Sequence, residues 1–297
     1  MTVSTASAPW RDVDPSMAPM LVDARRQLHH AAQLATAAGI SFSPKKPDDS
    51  HTNLEWLPSL DALASRAVPT SSPFRVAVRF QPLSLLLLDA SNAVLGSRQL
   101  HGQTIQAACE WLREMLPRVH ADPARLTLRR HYAIPRHRLD DGAPFDASDD
   151  RAFAELARWY GNAATVLEDL ARRTPTASEV RCWPHHFDIA TLIEVEPARG
   201  SGSARTVGVG MEPGDDSYAE PYLYVNMYPA PPASRVSAAL EGGGAWHTRD
   251  WIGAVLPGSR FGNTNQREQV ESFVRSAVRA CTELVSTDSQ LIVTDRG

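Results

Sequence analysis

The sequence predicts an α+β fold in which a mainly antiparallel β-sheet lies in two halves with four main helices packed on it. Segments with period-two alternation come in clusters, and helical segments stand between the clusters instead of alternating regularly with single strands. In addition, 43% of the 297 residues are hydrophobic and 22% are charged. This is ordinary globular usage and argues against wholesale disorder.

The chain begins with a polar segment, residues 1–19, which is predicted to be a flexible N-terminal arm. A single domain, 20–297, is predicted to follow it. That domain has halves 20–147 and 148–297. Helical spacing of apolar residues from Met20 to Ala38 predicts the first helix, with Gly39 at its end. The later elements of this half are strands at Phe74–Phe80, Leu83–Leu88 and Ala93–Leu95, a helix at Thr104–Leu116 and a strand at Leu126–Tyr132.

In the second half, Ser148 is placed to cap a helix whose first turn carries Asp149 and Asp150. Three antiparallel strands are predicted next, in Val180–Glu196, Thr206–Met211 and Tyr222–Tyr228, and a last helix at Gln266–Val285.

Charge and composition exclude several classes of protein. The net charge of −4 gives no basic surface for nucleic acid or an anionic membrane. The N-terminus lacks the pattern of a signal peptide, and the longest apolar run is too short to span a bilayer. The three cysteines form no C-x-x-C pair and are expected to be reduced thiols. We therefore expect a cytoplasmic protein that acts on a small molecule without nucleic acid or membrane partners; homo-oligomerisation stays open.

The most informative segment is Trp-Pro-His-His-Phe-Asp, residues 183–188. If a strand begins at His185 or His186, the side chains of His186 and Asp188 share one face, since side chains alternate along a strand. A histidine and a carboxylate on one face supply two thirds of a facial triad, the set that binds Fe(II) in many oxygenases. The third ligand is expected to be His247, His51 or Glu220, with His247 as the downstream candidate, and Arg260 is a candidate carboxylate anchor. The alternative is that Asp188 holds a neighbouring histidine or caps a turn, without metal.

Other histidines extend this set. His185 faces opposite His186 in a regular strand, so it joins the metal only if the proline bends the chain. His51 has Asp48 and Asp49 as neighbours, which can set its tautomer or bind a cation. The predicted ligands of a divalent metal, with Fe(II) as the favoured ion, are thus His186, Asp188, His247, His51 and His185. His131, flanked by arginines suited to an anionic substrate or to Asp140 and Asp141, is a further candidate.

A second group of candidate residues lies at Pro213–Tyr224. Glu220, Tyr222 and Tyr224 share a sheet face, and Gly208 and Gly210 on the preceding strand leave a shallow trough for a ligand or an aromatic ring. A carboxylate among tyrosines suits a general base or metal ligand, and equally a structural hydrogen-bonded network. The predicted catalytic residues are Glu220, Tyr222, Tyr224 and Arg260. There is no P-loop, dinucleotide-binding or nucleophile-elbow motif.

The segments Arg25–Gln33, Pro47–Thr52, Val180–Asp188 and Pro213–Tyr222 resemble a group of uncharacterised bacterial proteins with W-P-H-H-F-D and P-G-D-x-x-Y-x-E-P-Y signatures. More distantly, Trp183–Ala190 and Pro213–Pro229 are similar to a larger bacterial family of unknown function, which has no histidines where His185 and His186 stand. The resemblance implies that Trp183, Phe187 and Asp188 serve the fold, whereas the histidines serve this branch. It implies no activity.

Three functions follow as hypotheses. The first is an enzyme with a mononuclear, non-haem-iron-like centre, in particular an oxygenase, with open metal positions for substrate or dioxygen. The second is a metal-free hydrolase or isomerase that uses a histidine–carboxylate pair as general acid and base. The third is a non-catalytic small-molecule-binding or scaffold protein.

Overall fold

The computed structural model describes residues 9–198 and 203–294, with the backbone alone for 287–294. Within these residues the chain forms four α-helices and eleven strands with antiparallel ladders, which confirms the α+β prediction. The helices are α1 (Leu21–Phe42), α2 (Ile105–Met115), α3 (Asp150–Arg173) and α4 (Gln266–Thr294). The strands are β1 (Leu54–Leu57), β2 (Ala62–Ser65), β3 (Phe74–Arg79), β4 (Ser84–Asp89), β5 (Val94–Gln99), β6 (Arg181–Trp183), β7 (Asp188–Glu196), β8 (Arg205–Glu212), β9 (Tyr222–Tyr228), β10 (Ala245–His247) and β11 (Gly253–Pro257).

The chain divides into two compact units. The first unit is Pro19–Gly161 with Arg181–Asp188, and the second is the segment up to Ala18 with Asn162–Val180 and Ile189–Gly297. These units differ from the predicted halves 20–147 and 148–297. The short segment after α3 returns to the first unit because it supplies β6, which pairs with β1 through Leu54 and Cys182.

In the first unit the strand order is β6-β1-β2-β3-β4-β5, and α1 packs on β2, β3 and β4. The three strands predicted between residues 74 and 95 are present as β3, β4 and β5, and α2 begins after Thr104, whose hydroxyl accepts the N–H of Ala107 at 3.1 Å. β3 and β4 are buried at almost every residue and not on alternate residues. Trp56, Phe80 and Tyr160 pack their rings together in this unit.

Two local predictions in the first unit are wrong. Leu126–Tyr132 forms no strand, because its backbone bonds to side chains instead: Thr127 N–H donates to Ser41 Oγ at 2.9 Å, and Arg129 N–H to Thr127 Oγ1 at 3.1 Å. The residue that caps the start of α3 is Asp149 and not Ser148. The Asp149 carboxylate accepts the N–H of Ala152 at 3.4 Å, while the Ser148 hydroxyl donates to Asp146.

In the second unit the strand order is β10-β11-β9-β8-β7, and α4 packs on β8, β9 and β11. Leu223, Val225 and Met227 share one face of β9 and are buried. β8 and β9 match the predicted strands, and α4 starts at the predicted Gln266.

The arm predicted over residues 1–19 lies outside the described residues for 1–8. Its described part is fastened within the second unit. Arg11 N–H donates to Asn162 Oδ1 at 3.0 Å, Val13 N–H donates to Gln266 Oε1 at 2.9 Å, and the Gln266 amide donates back to Val13 O at 2.8 Å. This segment is therefore not a free arm. In the ranges 9–198 and 203–294, no helix combines the length and apolarity needed to cross a bilayer.

Candidate active site

The candidate site begins at the turn that joins β6 to β7. Phe187 N–H donates to Trp183 O at 2.7 Å, which closes a tight turn with His185 and His186 at its tip. Phe187 has a φ of +71°, a left-handed conformation that a bulky side chain rarely adopts. The continuous strand predicted through Val180–Glu196 is therefore wrong at this point. His186 lies on a turn and is exposed, whereas Asp188 begins β7 and is buried, so the two do not alternate along one strand face.

Two side chains of α1 hold this turn. His29 Nε2–H donates to Pro184 O at 2.8 Å, and Gln33 Nε2–H donates to the same oxygen at 2.9 Å. The His29 ring also stacks on Phe187, with centroids 4.9 Å apart and planes within 6°. From α3, the Tyr160 hydroxyl donates to Phe187 O. These contacts hold the unusual Phe187 backbone, and with it the orientation of the two turn histidines.

Gln33 also connects the turn to a second segment of the first unit. Its Oε1 accepts the hydroxyl of Tyr132 at 2.9 Å, so both ends of the amide are used and its orientation is set by its partners. The ring of Tyr132 lies 5.8 Å from that of His185 and 5.3 Å from that of His131, measured between centroids. The segment with no regular structure therefore carries His131 towards the turn.

His131 forms a pair with a carboxylate from the loop after α1. Its Nε2 lies 2.9 Å from Asp49 Oδ2, and its side chain is 54% exposed. A carboxylate only accepts hydrogen bonds, so Nε2 carries a proton, and in the neutral tautomer Nδ1 presents the lone pair. The pair has the geometry of a base oriented by an acid.

The loop that carries Asp49 packs directly on α1 at Gly39. A Cβ at Gly39 would clash with the carbonyl oxygen of His51. The sequence predicts a helix end at Gly39, but α1 continues to Phe42, so this glycine provides room for the loop instead. His51 itself is buried, and its Nδ1 accepts the N–H of Lys46 at 3.3 Å.

Burial favours the neutral imidazole at three of these histidines, His29, His51 and His185. Burial lowers the pKa of His29 to about 4, against the ordinary 6.5. Burial also lowers the pKa of His51 and of His185, and in both cases the charge of Asp49 opposes the shift. Burial raises the pKa of Tyr132 well above its usual range, so its phenol stays a hydrogen-bond donor. We call the group His29, Gln33, Asp49, His51, His131, Tyr132, His185 and His186 the histidine cluster.

Two further histidine–carboxylate contacts lie elsewhere in the first unit. His30 Nε2 is 3.1 Å from Asp140 Oδ2, and His137 Nε2 is 3.0 Å from Asp23 Oδ1. Although both carboxylates are partly desolvated, their hydrogen bonds to His30 and His137 keep the pKa values of Asp23 and Asp140 below 3.8. The contacts fasten the loop around His137 to α1.

The remaining predicted residues lie in the second unit, around Tyr218. Its hydroxyl lies 2.9 Å from His247 Nδ1, and its ring is 4.8 Å from that of Tyr222. The Tyr222 hydroxyl donates to Asp215 Oδ2 at 2.8 Å, and Trp251 stacks on His247 with centroids 4.4 Å apart. This arrangement is a hydrogen-bonded aromatic network whose carboxylate is Asp215 and not the expected Glu220.

The other second-unit candidates have structural partners. The Glu220 carboxylate accepts the N–H and the hydroxyl of Ser259, and Arg260 donates to Gly243 O at 3.1 Å. The ring of Tyr224 lies over Gly210, where a Cβ would be 2.6 Å from it. Of the two predicted occupants of the trough, an aromatic ring is the one present.

The predicted metal ligands do not come together as a triad. His51, His185, His186 and Asp188 belong to the first unit and His247 to the second. Among the described residues, no group of three or more histidine, cysteine, aspartate or glutamate side chains is placed to hold a metal ion.

Sequence reasoning missed several members of the cluster. The sequence indicates Asp49 only as a neighbour of His51. It indicates Asp140 and Asp141 as partners of the arginines that flank His131. Gln33 and Tyr132 carry no motif, although the polar Gln33 on the buried stripe of a helix is a signal for a structural role.

No protein-family model, curated protein or solved structure matches this chain.

Proposed function

We propose that the protein is a small-molecule enzyme that uses the histidine cluster for metal-free general acid–base catalysis, as a hydrolase or isomerase. The observation that carries the proposal is the 2.9 Å contact between His131 Nε2 and Asp49 Oδ2, in a cluster where the rings of both His131 and His185 lie against the ring of Tyr132. A half-exposed base with its tautomer set by a buttressing carboxylate is the arrangement that proton transfer needs.

In this proposal His131 Nδ1 removes a proton from the substrate or from an attacking water. The imidazolium that forms is stabilised by the Asp49 carboxylate, which stays ionised. His185 remains neutral because it is partly buried, so it can donate or accept a hydrogen bond at the reacting group without charge. Gln33 and His29 act on the turn and position His185; they are not catalytic residues.

Hydrolysis of 4-nitrophenyl acetate by the full-length protein tests the proposal. We expect His131→Gln to lower kcat/KM by about 100-fold, the lower range of what a positioned base contributes. Asp49→Asn should lower it by about tenfold, since the imidazolium loses a charged partner. His120→Gln removes an exposed histidine at the end of a 3-10 turn and should leave the rate unchanged.

Equal rates in His131→Gln, His120→Gln and the unmodified protein would refute acid–base catalysis at this cluster and favour a non-catalytic binding protein.

The iron-dependent oxygenase remains the alternative, since neutral imidazoles are metal ligands and the rings of His185 and His186 lie 4.3 Å apart. Elemental analysis of protein purified without an affinity tag distinguishes it. Stoichiometric iron that is lost in His186→Ala would replace the metal-free proposal.

A further inference from the structure

A groove of about 290 Å³ lies between the second half of α3 and the middle of α4, within the second unit. Its floor is aliphatic and is made by Val166, Leu170, Val274 and Val278. This size is at the lower end of small-molecule sites, which are mostly apolar with a few polar groups. The groove contains none of the residues of the histidine cluster.

The rim of the groove is charged, and its acids are already paired. Arg267 lies 2.8 Å from Glu271 Oε1 and 3.5 Å from Asp169 Oδ2. Arg275 donates to the hydroxyl of Ser272 at 3.0 Å and lies 3.7 Å from Glu241 Oε2. Arg173, which also lines the groove, lies 4.0 Å from Asp169 Oδ2, so both arginines are partly engaged. Arg279 also lines the groove; it is exposed, and within the described part of the chain it forms no ion pair. The rim therefore offers a cation above an aliphatic floor.

We propose that this groove binds a small organic anion with an apolar body, such as a medium-chain carboxylate. The aliphatic floor removes the body from water, and Arg279 pairs with the anionic head. An arginine presents its N–H groups in the planar geometry that a carboxylate accepts. The inference is independent of the proposed function, because the two sites share no residue.

Binding of 8-anilinonaphthalene-1-sulfonate to the full-length protein tests the proposal, with decanoate as competitor. We expect saturable binding of one probe molecule, displaced by decanoate. Arg279→Gln should weaken binding by about tenfold or more, the effect of losing one charged hydrogen bond. Val278→Trp, which fills the groove without adding charge, should abolish binding. Arg151→Gln removes an exposed arginine near the start of α3 and is the matched control.

Circular dichroism and thermal unfolding establish that each variant is folded, and Arg279→Gln is at an exposed position, so it tests the site even if Val278→Trp fails to fold. Unchanged probe affinity in Arg279→Gln would overturn the proposal. So would equal affinity for the neutral N-phenyl-1-naphthylamine, since the arginine would then have no role. A dimer that buries the groove and excludes the probe would also overturn it.

Discussion

Replacing Gly39 by alanine tests whether α1 positions the loop of the histidine cluster. In an isolated helix this change is favourable, since alanine exceeds glycine in helix propensity by about 1 kcal/mol. In this protein the new methyl group would clash with the carbonyl oxygen of His51. The obstacle is backbone, so no side-chain rotation relieves it.

The two effects oppose each other, and their sizes decide the sign. Overpacking of this kind costs about 1–3 kcal/mol, and the loop, which is hydrogen-bonded within itself, must move as a body. We therefore expect Gly39→Ala to lower the free energy of unfolding by up to about 2 kcal/mol in spite of the better helix propensity. Asp49 should move with the loop and loosen its contact with His131.

Urea unfolding followed by circular dichroism measures the stability, and the imidazole signals of His51 and His131 in NMR spectra report the loop. Gly262→Ala is the matched control, because a Cβ there meets only ordinary contacts at 3.4 Å and beyond. That variant should be neutral or slightly stabilised. If Gly39→Ala is about 1 kcal/mol more stable than the unmodified protein and its imidazole signals are unchanged, the packing argument is wrong.

Three further outcomes are expected. Because the folded pKa of His29 lies at about 4, below the ordinary 6.5, its contribution to stability is complete above pH 6.5 and is lost as the pH falls towards 4; urea unfolding should show about 3 kcal/mol of acid destabilisation that is absent in His29→Phe. Gln33→Met keeps the side-chain length but removes the hydrogen bonds to Pro184 and Tyr132, so we expect a loss of about 2 kcal/mol and a lower rate of ester hydrolysis without a change in its pH profile. The lowered pKa of Asp23 means that its stabilisation is present above pH 3.8 and is lost below it; hydrogen exchange in the surrounding loop should accelerate there, and an acid transition that is the same in Asp23→Asn would contradict this.

The local patterns predicted much of the fold. The apolar stripes of α2 and α4 were sufficient, because one face of each helix must be buried whatever it packs against. The alternation in residues 74–80 also predicted a strand, although β3 is buried on both faces. The strand predicted at Leu126–Tyr132 failed because the hydroxyl of the distant Ser41 takes the backbone N–H that a strand partner would have taken.

For the site, the sequence predicted that histidines take part but not which residues they contact. The turn at Pro184–Phe187 depends on His29 and Gln33, more than 150 residues earlier in the chain. The pairing of His131 with Asp49 joins two segments without regular secondary structure. Neither contact produces a periodic pattern in the sequence.

The sequence by itself determined the fold class, most of the helices and strands, and the presence of a histidine-rich candidate site, because these follow from hydrophobic periodicity and composition. Only the tertiary structure decided that His186 lies on a turn, that Gly39 admits a loop instead of ending a helix, and that Asp49 orients His131. Those features depend on side chains and backbone groups brought together from distant parts of the chain, where sterics and hydrogen-bond satisfaction override the local preference.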